Sequence, residues 1–216
     1  MNPCVVTFTS DPHYPGVDAL RRSCAKWGWP LVEVVSEWQG EGHRLKSVLA
    51  ESGELRDQGY THLVHVDAFD VLAVGPQLGL FNSLKLCGEP PLLLSCEAAL
   101  WPYSPMAEAA YGPKQSHWWY AHSQFVLDLR QPMPRGFGEL ANDASDQQHL
   151  HNLVMAETPG IKLDRDCRII QSVAHCVLWQ DFFEVVGGRI VNKLTGSMPL
   201  FAHMNGRTDG SWVPQI

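Results

Sequence analysis

The sequence predicts an α/β fold with a mostly parallel central sheet, and three observations predict it. Short apolar runs alternate with amphipathic helical patterns through the first third of the chain. The 216 residues are 45% hydrophobic and 18% charged, with 8 Trp, 8 Phe and 5 Tyr, which suits one good core and excludes wholesale disorder. No repeat, low-complexity tract or Pro/Ser-rich linker divides the chain, so one domain is expected.

Each element has its own signal. Cys4-Val5-Val6-Thr7-Phe8-Thr9 reads as a buried strand. Val17, Leu20, Cys24 and Trp27 then fall at i, i+3, i+7 and i+10, one face of a helix. Residues 30–35 form a second strand pattern. From residue 43 to 58, Leu45, Val48, Leu49 and Leu55 suit an amphipathic helix. Thr61-His62-Leu63-Val64-His65-Val66 is the third strand, which completes a strand–helix–strand–helix–strand half. The second half is less regular. Residues 91–96 form a strand pattern, residues 101–119 a loop rich in Pro and Trp, and Phe125-Val126-Leu127 another strand. A helix is expected from near Asp143, with Leu150, Leu153 and Val154 on its apolar face. Short strands near residues 168–171, 189–191 and 200–202 suggest a smaller mixed sheet.

The formal charge of -7 argues against a chain-wide basic footprint for nucleic acid. Met1-Asn2-Pro3-Cys4 opens no basic segment before a long apolar run, and no stretch of about 18 apolar residues occurs, so neither a secretory signal nor a membrane span is expected. Cys4, Cys24, Cys87, Cys96, Cys167 and Cys176 show no C-x-x-C pair, which points to reduced thiols and a cytoplasmic protein.

The most informative stretch is His65-Val66-Asp67-Ala68-Phe69-Asp70-Val71-Leu72. Asp67 falls where the third strand should end, and in an open α/β sheet ligands bind beyond the carboxyl ends of the strands. From Leu63 to Val74, Asp67 and Asp70 are the only charged residues. Two carboxylates in apolar surroundings repel each other and lose solvation; a divalent cation removes both penalties. Oxygen ligands favour Mg²⁺ or Mn²⁺, which commonly bridges to phosphates. The alternative from spacing alone is a capped turn, because aspartates three apart are common.

Several segments together carry a family resemblance. They are Glu37-Trp38-Gln39-Gly40, Val66-Asp67-Ala68-Phe69-Asp70-Val71, Ser95-Cys96-Glu97, Trp101-Pro102, Ser145-Asp146-Gln147, Arg168-Ile169-Ile170-Gln171 and His203-Met204-Asn205-Gly206. In order and spacing they resemble motifs of the glycosyltransferase domain of the procollagen lysyl hydroxylase (collagen glucosyl-galactosyltransferase) family, which has the GT-A nucleotide-sugar fold. A bacterial or phage relative would suit a chain with this N-terminus. The resemblance implies a Rossmann-like N-terminal half, about residues 1–75, that binds nucleotide. It also implies a sugar and acceptor half, about residues 76–216. The expected reaction moves a hexose from a UDP-sugar to a hydroxyl with Mn²⁺ (or Mg²⁺).

By that resemblance Asp67, Asp70 and His203 hold the metal, and Mn²⁺ does accept imidazole beside carboxylates. Thr7 and Ser10 face the nucleotide and Trp38 packs on the uridine. Arg44 or Lys46 reaches the diphosphate; two residues apart on a helix they point differently, and Arg44 is favoured. Asn205 and Gly206 follow His203 onto the diphosphate. Glu97 and Trp101 line the sugar and acceptor side. Asp143 and Asp146 remain open between sugar or catalytic roles and a helix N-cap with an acid three residues on. Glu97, Asp143 and Asp146 are all conceivable bases.

The chain departs from the family at Tyr120-Ala121-His122-Ser123-Gln124, where the family has Leu-Asn-Ser-Gly-Gly, and at Arg207-Thr208-Asp209, where it has Pro-Thr-Lys. The acceptor is therefore the most open part: a protein hydroxyl, a small molecule, or a hydroxymethylated pyrimidine in DNA. The DNA option needs a basic surface, for which Arg130, Arg135, Lys162, Arg165 and Arg168 are the candidates. Two other classes compete. One is a non-catalytic nucleotide-sugar-binding or interaction module that keeps the fold; intact ligands at 67, 70 and 203 argue against it. The other is a zinc protein using His62, His65, His149 and His151, which lacks a supporting motif.

Overall fold

The computed structural model describes residues 1–176 and 178–205. The first half follows the expected order: β1 (Pro3–Thr9), α1 (Pro15–Trp27), β2 (Leu31–Val35), α2 (Glu41–Asp57) and β3 (His62–His65). Helix α1 opens on Pro15, whose missing N–H is no loss in the first turn, and closes on Gly28 at φ 75°, a left-handed conformation that favours glycine. Val17, Leu20 and Cys24 are buried along it, as their spacing predicts. In α2 the buried apolar residues are Leu45, Val48 and Leu55.

Next come β4 (Val71–Ala73), α3 (Gly79–Cys87), β5 (Leu92–Glu97), α4 (Pro105–Tyr111), β6 (Tyr120–Asp128) and α5 (Asp146–Met155). They are followed by β7 (Ile161–Asp164), β8 (Ile170–Ser172), α6 (Trp179–Phe182), β9 (Phe183–Val186), β10 (Arg189–Asn192) and β11 (Phe201–His203). Six of these, β4, α3, α4, β7, α6 and β9, are not foreseen by the sequence patterns. Helix α4 interrupts the expected loop over residues 101–119: Ser104 caps it by accepting from the Ala107 amide, and Pro105 fills the first turn. Helix α5 starts later than expected. Its cap is Ser145, which accepts from the Gln148 amide, rather than Asp143.

Among the described residues nine strands share one sheet in the order β2-β1-β3-β6-β5-β8-β11-β4, with β7 also on β5. Strands β2, β1, β3, β5, β7, β8 and β11 run in one direction; β6 and β4 run against them. The smaller sheet is an antiparallel ribbon of β9 and β10, while β8 and β11 join the main sheet. Side chains alternate across the sheet. Cys4, Val6, Phe8 and Leu63 pack on one face with Leu45 and Val48 of α2 and Leu150 of α5. Val5, Val64 and Val66 pack on the other with Leu20 of α1 and Leu80 and Leu84 of α3. All six cysteines are free thiols. No helix among the described residues is long and apolar enough to cross a membrane.

This topology sets the position of the site. The carboxyl ends of β1, β3, β5, β8 and β11 lie along one edge of the sheet. The antiparallel strands β4 and β6 begin at that same edge.

Candidate active site at the carboxyl edge of the sheet

Asp67 and Asp70 occupy the short connection from β3 to β4, at the carboxyl edge. The first turn of α1 packs against this connection. A side chain at Gly16 would collide with the Phe69 carbonyl, and the Tyr14 ring meets the Phe69 ring edge-on at 5.0 Å. His203 ends β11, which lies between β8 and β4, in register with Ser172 and Val71. The Met204 amide donates to the Asp70 carbonyl at 2.8 Å and fixes the strand end to the aspartate turn.

These connections bring the three residues together. His203 Nε2 lies 3.2 Å from Asp70 Oδ1 and 3.5 Å from Asp67 Oδ2. One ligand atom from each of Asp67, Asp70 and His203 falls within 4.8 Å of the others. The His203 side chain is 2% exposed, so its imidazole is aimed at the acids rather than at solvent. Two carboxylate oxygens and one imidazole nitrogen this close together form a donor set able to hold a metal ion.

Charge is dense around this triad. Arg44, in the first turn of α2, donates to Asp67 Oδ1 at 2.7 Å and to Asp146 Oδ2 at 2.6 Å. Burial opposes ionisation of Asp67, but Arg44 first, and then the neighbouring histidines, hold its carboxyl well below the usual range. Asp146 starts α5 and is buried; that burial pushes its carboxyl up to about 6 even beside Arg44. The α2 and α5 entries are pinned together by backbone. Gly42 and His43 amides donate to the Ala144 and Asn142 carbonyls, and a side chain at Gly42 would strike the Ala141 carbonyl.

Glu97 ends β5 and is buried. It accepts from the side-chain Nε2 of Gln147 on α5 and, at 3.2 Å, from Asn205 Nδ2. Ser172 in turn donates to Asn205 Oδ1 at 2.9 Å. Burial pushes the Glu97 carboxyl up to about 7, and the Gln147 hydrogen bond works against that rise. Glu97 is thereby joined through Asn205 to the strand end that carries His203.

The remaining sequence candidates differ in how far they are buried. Ser10 and Asp143 are exposed, Trp38 is 49% exposed and Trp101 67% exposed; Trp38 sits just beyond β2, with its ring 6.1 Å from Phe8. Thr7 is fully buried and donates its hydroxyl to the Val66 carbonyl at 2.7 Å, so it braces β1 against the aspartate turn. Lys46 is half-buried on α2; between the two basic candidates, Arg44 is the one held by the site's carboxylates. Gly206 lies outside the described residues. Of the basic residues considered for DNA, Arg130 is paired with Asp128 and Arg168 with Asp166, while Arg165 stacks over the Trp119 ring.

The structure also adds residues that no local pattern marked. Gln124 of β6 donates to Asp67 Oδ2 at 3.3 Å. His122, two residues earlier, places its ring 4.9 Å from that of His203. Burial pushes the imidazoles of His122 and His65 down to about 3 and about 4, so both are neutral at pH 7. Ser123 lies 3.4 Å from Arg44 Nη2. These β6 side chains stand where the resembled family carries small residues, and that departure was their one available signal.

No family model matches the chain. The uncharacterised protein R699 of Acanthamoeba polyphaga mimivirus is 26% identical over 168 residues, which cover 77% of this chain and 36% of that protein. The chain thus spans about a third of the length of this curated relative. Among solved structures, a glycosyltransferase involved in glycosylation of the major capsid of PBCV-1 superposes with a TM-score of 0.55 at 12% identity. That match covers 95% of this chain and 94% of the viral enzyme. A197 from STIV matches with a TM-score of 0.45 at 9% identity, over 93% of this chain and 94% of that one. The fold is therefore that of a viral glycosyltransferase over nearly the full length, and it carries an Asp-Asp-His cluster able to hold a metal ion.

Proposed function

We propose that this protein is a metal-dependent glycosyltransferase that moves a hexose from a UDP-sugar to a hydroxyl group. The observation that carries the reading is the convergence of Asp67, Asp70 and His203 at the carboxyl edge of a sheet shared with a glycosyltransferase. Asp67, Asp70 and His203 hold Mn²⁺ or Mg²⁺ in this reading, and the ion neutralises charge that grows on the departing diphosphate.

The chain's own residues supply the rest. Trp38 offers an exposed ring face for the base, beside Ser10 at the end of β1. Arg44 and Gln124 hold Asp67 in place. Lys46, Asn205 and Gly206 are assigned to the diphosphate side. Glu97, Asp143 and Asp146 are assigned to the sugar and acceptor side, with Trp101 as an exposed aromatic face for a sugar ring. Glu97 and Asp146 stand out there because burial keeps their carboxyls poised near 7 and 6, which suits proton exchange with a hydroxyl near neutral pH. Arg130 and Arg168 are already neutralised, which favours a protein or small-molecule hydroxyl over DNA as acceptor.

The test is calorimetric titration with UDP and a panel of nucleotide-sugars, with and without Mn²⁺. Micromolar UDP binding that requires the metal is expected. A folded sample that binds no UDP under either condition would favour the non-catalytic module.

A further inference from the structure

At the amino edge of the sheet, opposite the triad, a cavity of about 240 Å³ opens. Helix α3 lines it with Asn82 and Ser83, the segment before β8 with Arg168, the start of β10 with Arg189, and the turn before β11 with Ser197 and Met198. None of these residues belongs to the site described above.

The feature that needs explaining is Arg189. Five arginines are half-buried among the described residues. Arg21, Arg44 and Arg168 have carboxylate partners, and Arg165 lies 3.5 Å over the Trp119 ring. Arg189 has neither. Its Nη2 donates to the Met198 carbonyl at 3.2 Å, and its Nε is buried with no partner. Burial without a counter-charge pulls its pKa down. A guanidinium placed this way in a chain of net charge -7 is costly unless an anion completes it.

The surroundings hold that guanidinium in place. Gly75 makes room for it: a Cβ there would come within 2.9 Å of Arg189 Nη2. The turn beside it is tied at several points. Asn192 Oδ1 accepts from the Leu194 and Thr195 amides, Thr195 donates to the Asp166 carbonyl, and Ser197 donates to the Cys167 carbonyl. Arg168, the second guanidinium, keeps one carboxylate partner, so the cavity retains an uncompensated positive charge with the Asn82 side-chain amide beside it, while Ser83 and Ser197 spend their protons on the Arg168 and Cys167 carbonyls. That is the donor set for a tetrahedral oxyanion. The volume suits a phosphate with a small substituent rather than a nucleotide.

We propose that this cavity binds a phosphate group, either as inorganic phosphate or as a small phosphomonoester, at a site separate from the metal triad. The test is calorimetric titration of the full chain with inorganic phosphate and, in parallel, with glucose 6-phosphate. Saturable 1:1 binding without Mn²⁺ is expected, unchanged in Asp67→Asn and weakened about tenfold or more in Arg189→Gln. Asn82→Asp, on the exposed side of α3, places a negative charge in the cavity without touching either arginine and gives the same loss. Tighter binding of glucose 6-phosphate than of phosphate marks a phosphomonoester as the ligand; equal binding marks inorganic phosphate. Absence of saturable binding overturns the proposal. So does equal affinity in Arg189→Gln and Asn82→Asp, or binding that needs Mn²⁺ and disappears in Asp67→Asn, which would place the anion at the triad.

Discussion

The faces of the central sheet and its carboxyl edge are built on opposite principles. The faces are closed by apolar side chains, Val6 and Leu63 against α2 on one side and Val5 and Val64 against α1 on the other. The edge gathers Arg44, Asp67, Glu97, Asp146, His122 and His203 within or beside the protein interior. Apolar burial contributes stability in proportion to area, whereas each buried charge costs stability unless its partners are well placed. Residues that a stable core does not need have therefore been collected where the parallel strands end. The difference separates what holds this molecule together from what it does.

The comparison breaks most visibly at the triad. Asp67→Ala or His203→Ala is expected to abolish Mn²⁺-dependent turnover, by about a thousandfold or more, in a protein that still folds. Full activity in Asp67→Ala ends the metal assignment, and circular dichroism confirms that the fold survives. On a face the reverse holds. Leu20 is fully buried between α1 and the sheet, so Leu20→Ala costs about 2–5 kcal/mol by chemical denaturation. Undiminished Mn²⁺ affinity in whatever fraction remains folded shows that the two regions are independent.

Smaller effects sharpen the picture. Trp38→Ala removes a half-exposed ring, so melting temperature stays put while UDP affinity drops by about 1–3 kcal/mol, the range for base–aromatic stacking. Unchanged UDP affinity moves the base elsewhere. Glu97 supplies a pH signature. Burial raises its folded pKa from 4.5 to about 7, so the folded protein takes up a proton that the unfolded chain lacks in that window. Its contribution is fully present below about 4.5 and is lost as pH rises through about 7. Glu97→Gln keeps a neutral side chain at every pH. Relative to the parent, its melting temperature should therefore gain more at pH 8 than at pH 5; parallel profiles refute the assignment.

The sequence announced the faces better than the edge. Strand β1 and helix α1 follow from apolar runs and from the Val17, Leu20 and Cys24 spacing, because packing on a face leaves a periodic trace. Helix α3 left no such trace: Leu80 and Leu84 point inward while Leu78, Phe81 and Leu86 leave its outer side apolar too. Helix α4 did carry a start signal, Ser104 before Pro105, hidden in a stretch dominated by Pro and Trp. At the edge, Asp67 and Asp70 were legible because charges stand out in an apolar run. Gln147 was marked only as part of the Ser145-Asp146-Gln147 resemblance, and its pairing with Glu97 was not legible; nor was the pairing of Gln124 with Asp67, because each partner lies far along the chain and no local pattern encodes such a meeting.

Strand β11 has a consequence for the order of events during synthesis. Among the described residues it is the sheet partner of β4, so the strand that follows Asp70 stays unpaired until β11 arrives. A nascent chain therefore exposes both aspartates long before the third ligand exists, and half a site has little hold on an ion. Once β11 inserts, the proposed ion would bind only the finished arrangement and shift the balance toward it, by about 2.7 kcal/mol at a hundredfold excess over its dissociation constant. Completion of the fold and readiness for chemistry would then be one event, governed by the three residues of β11.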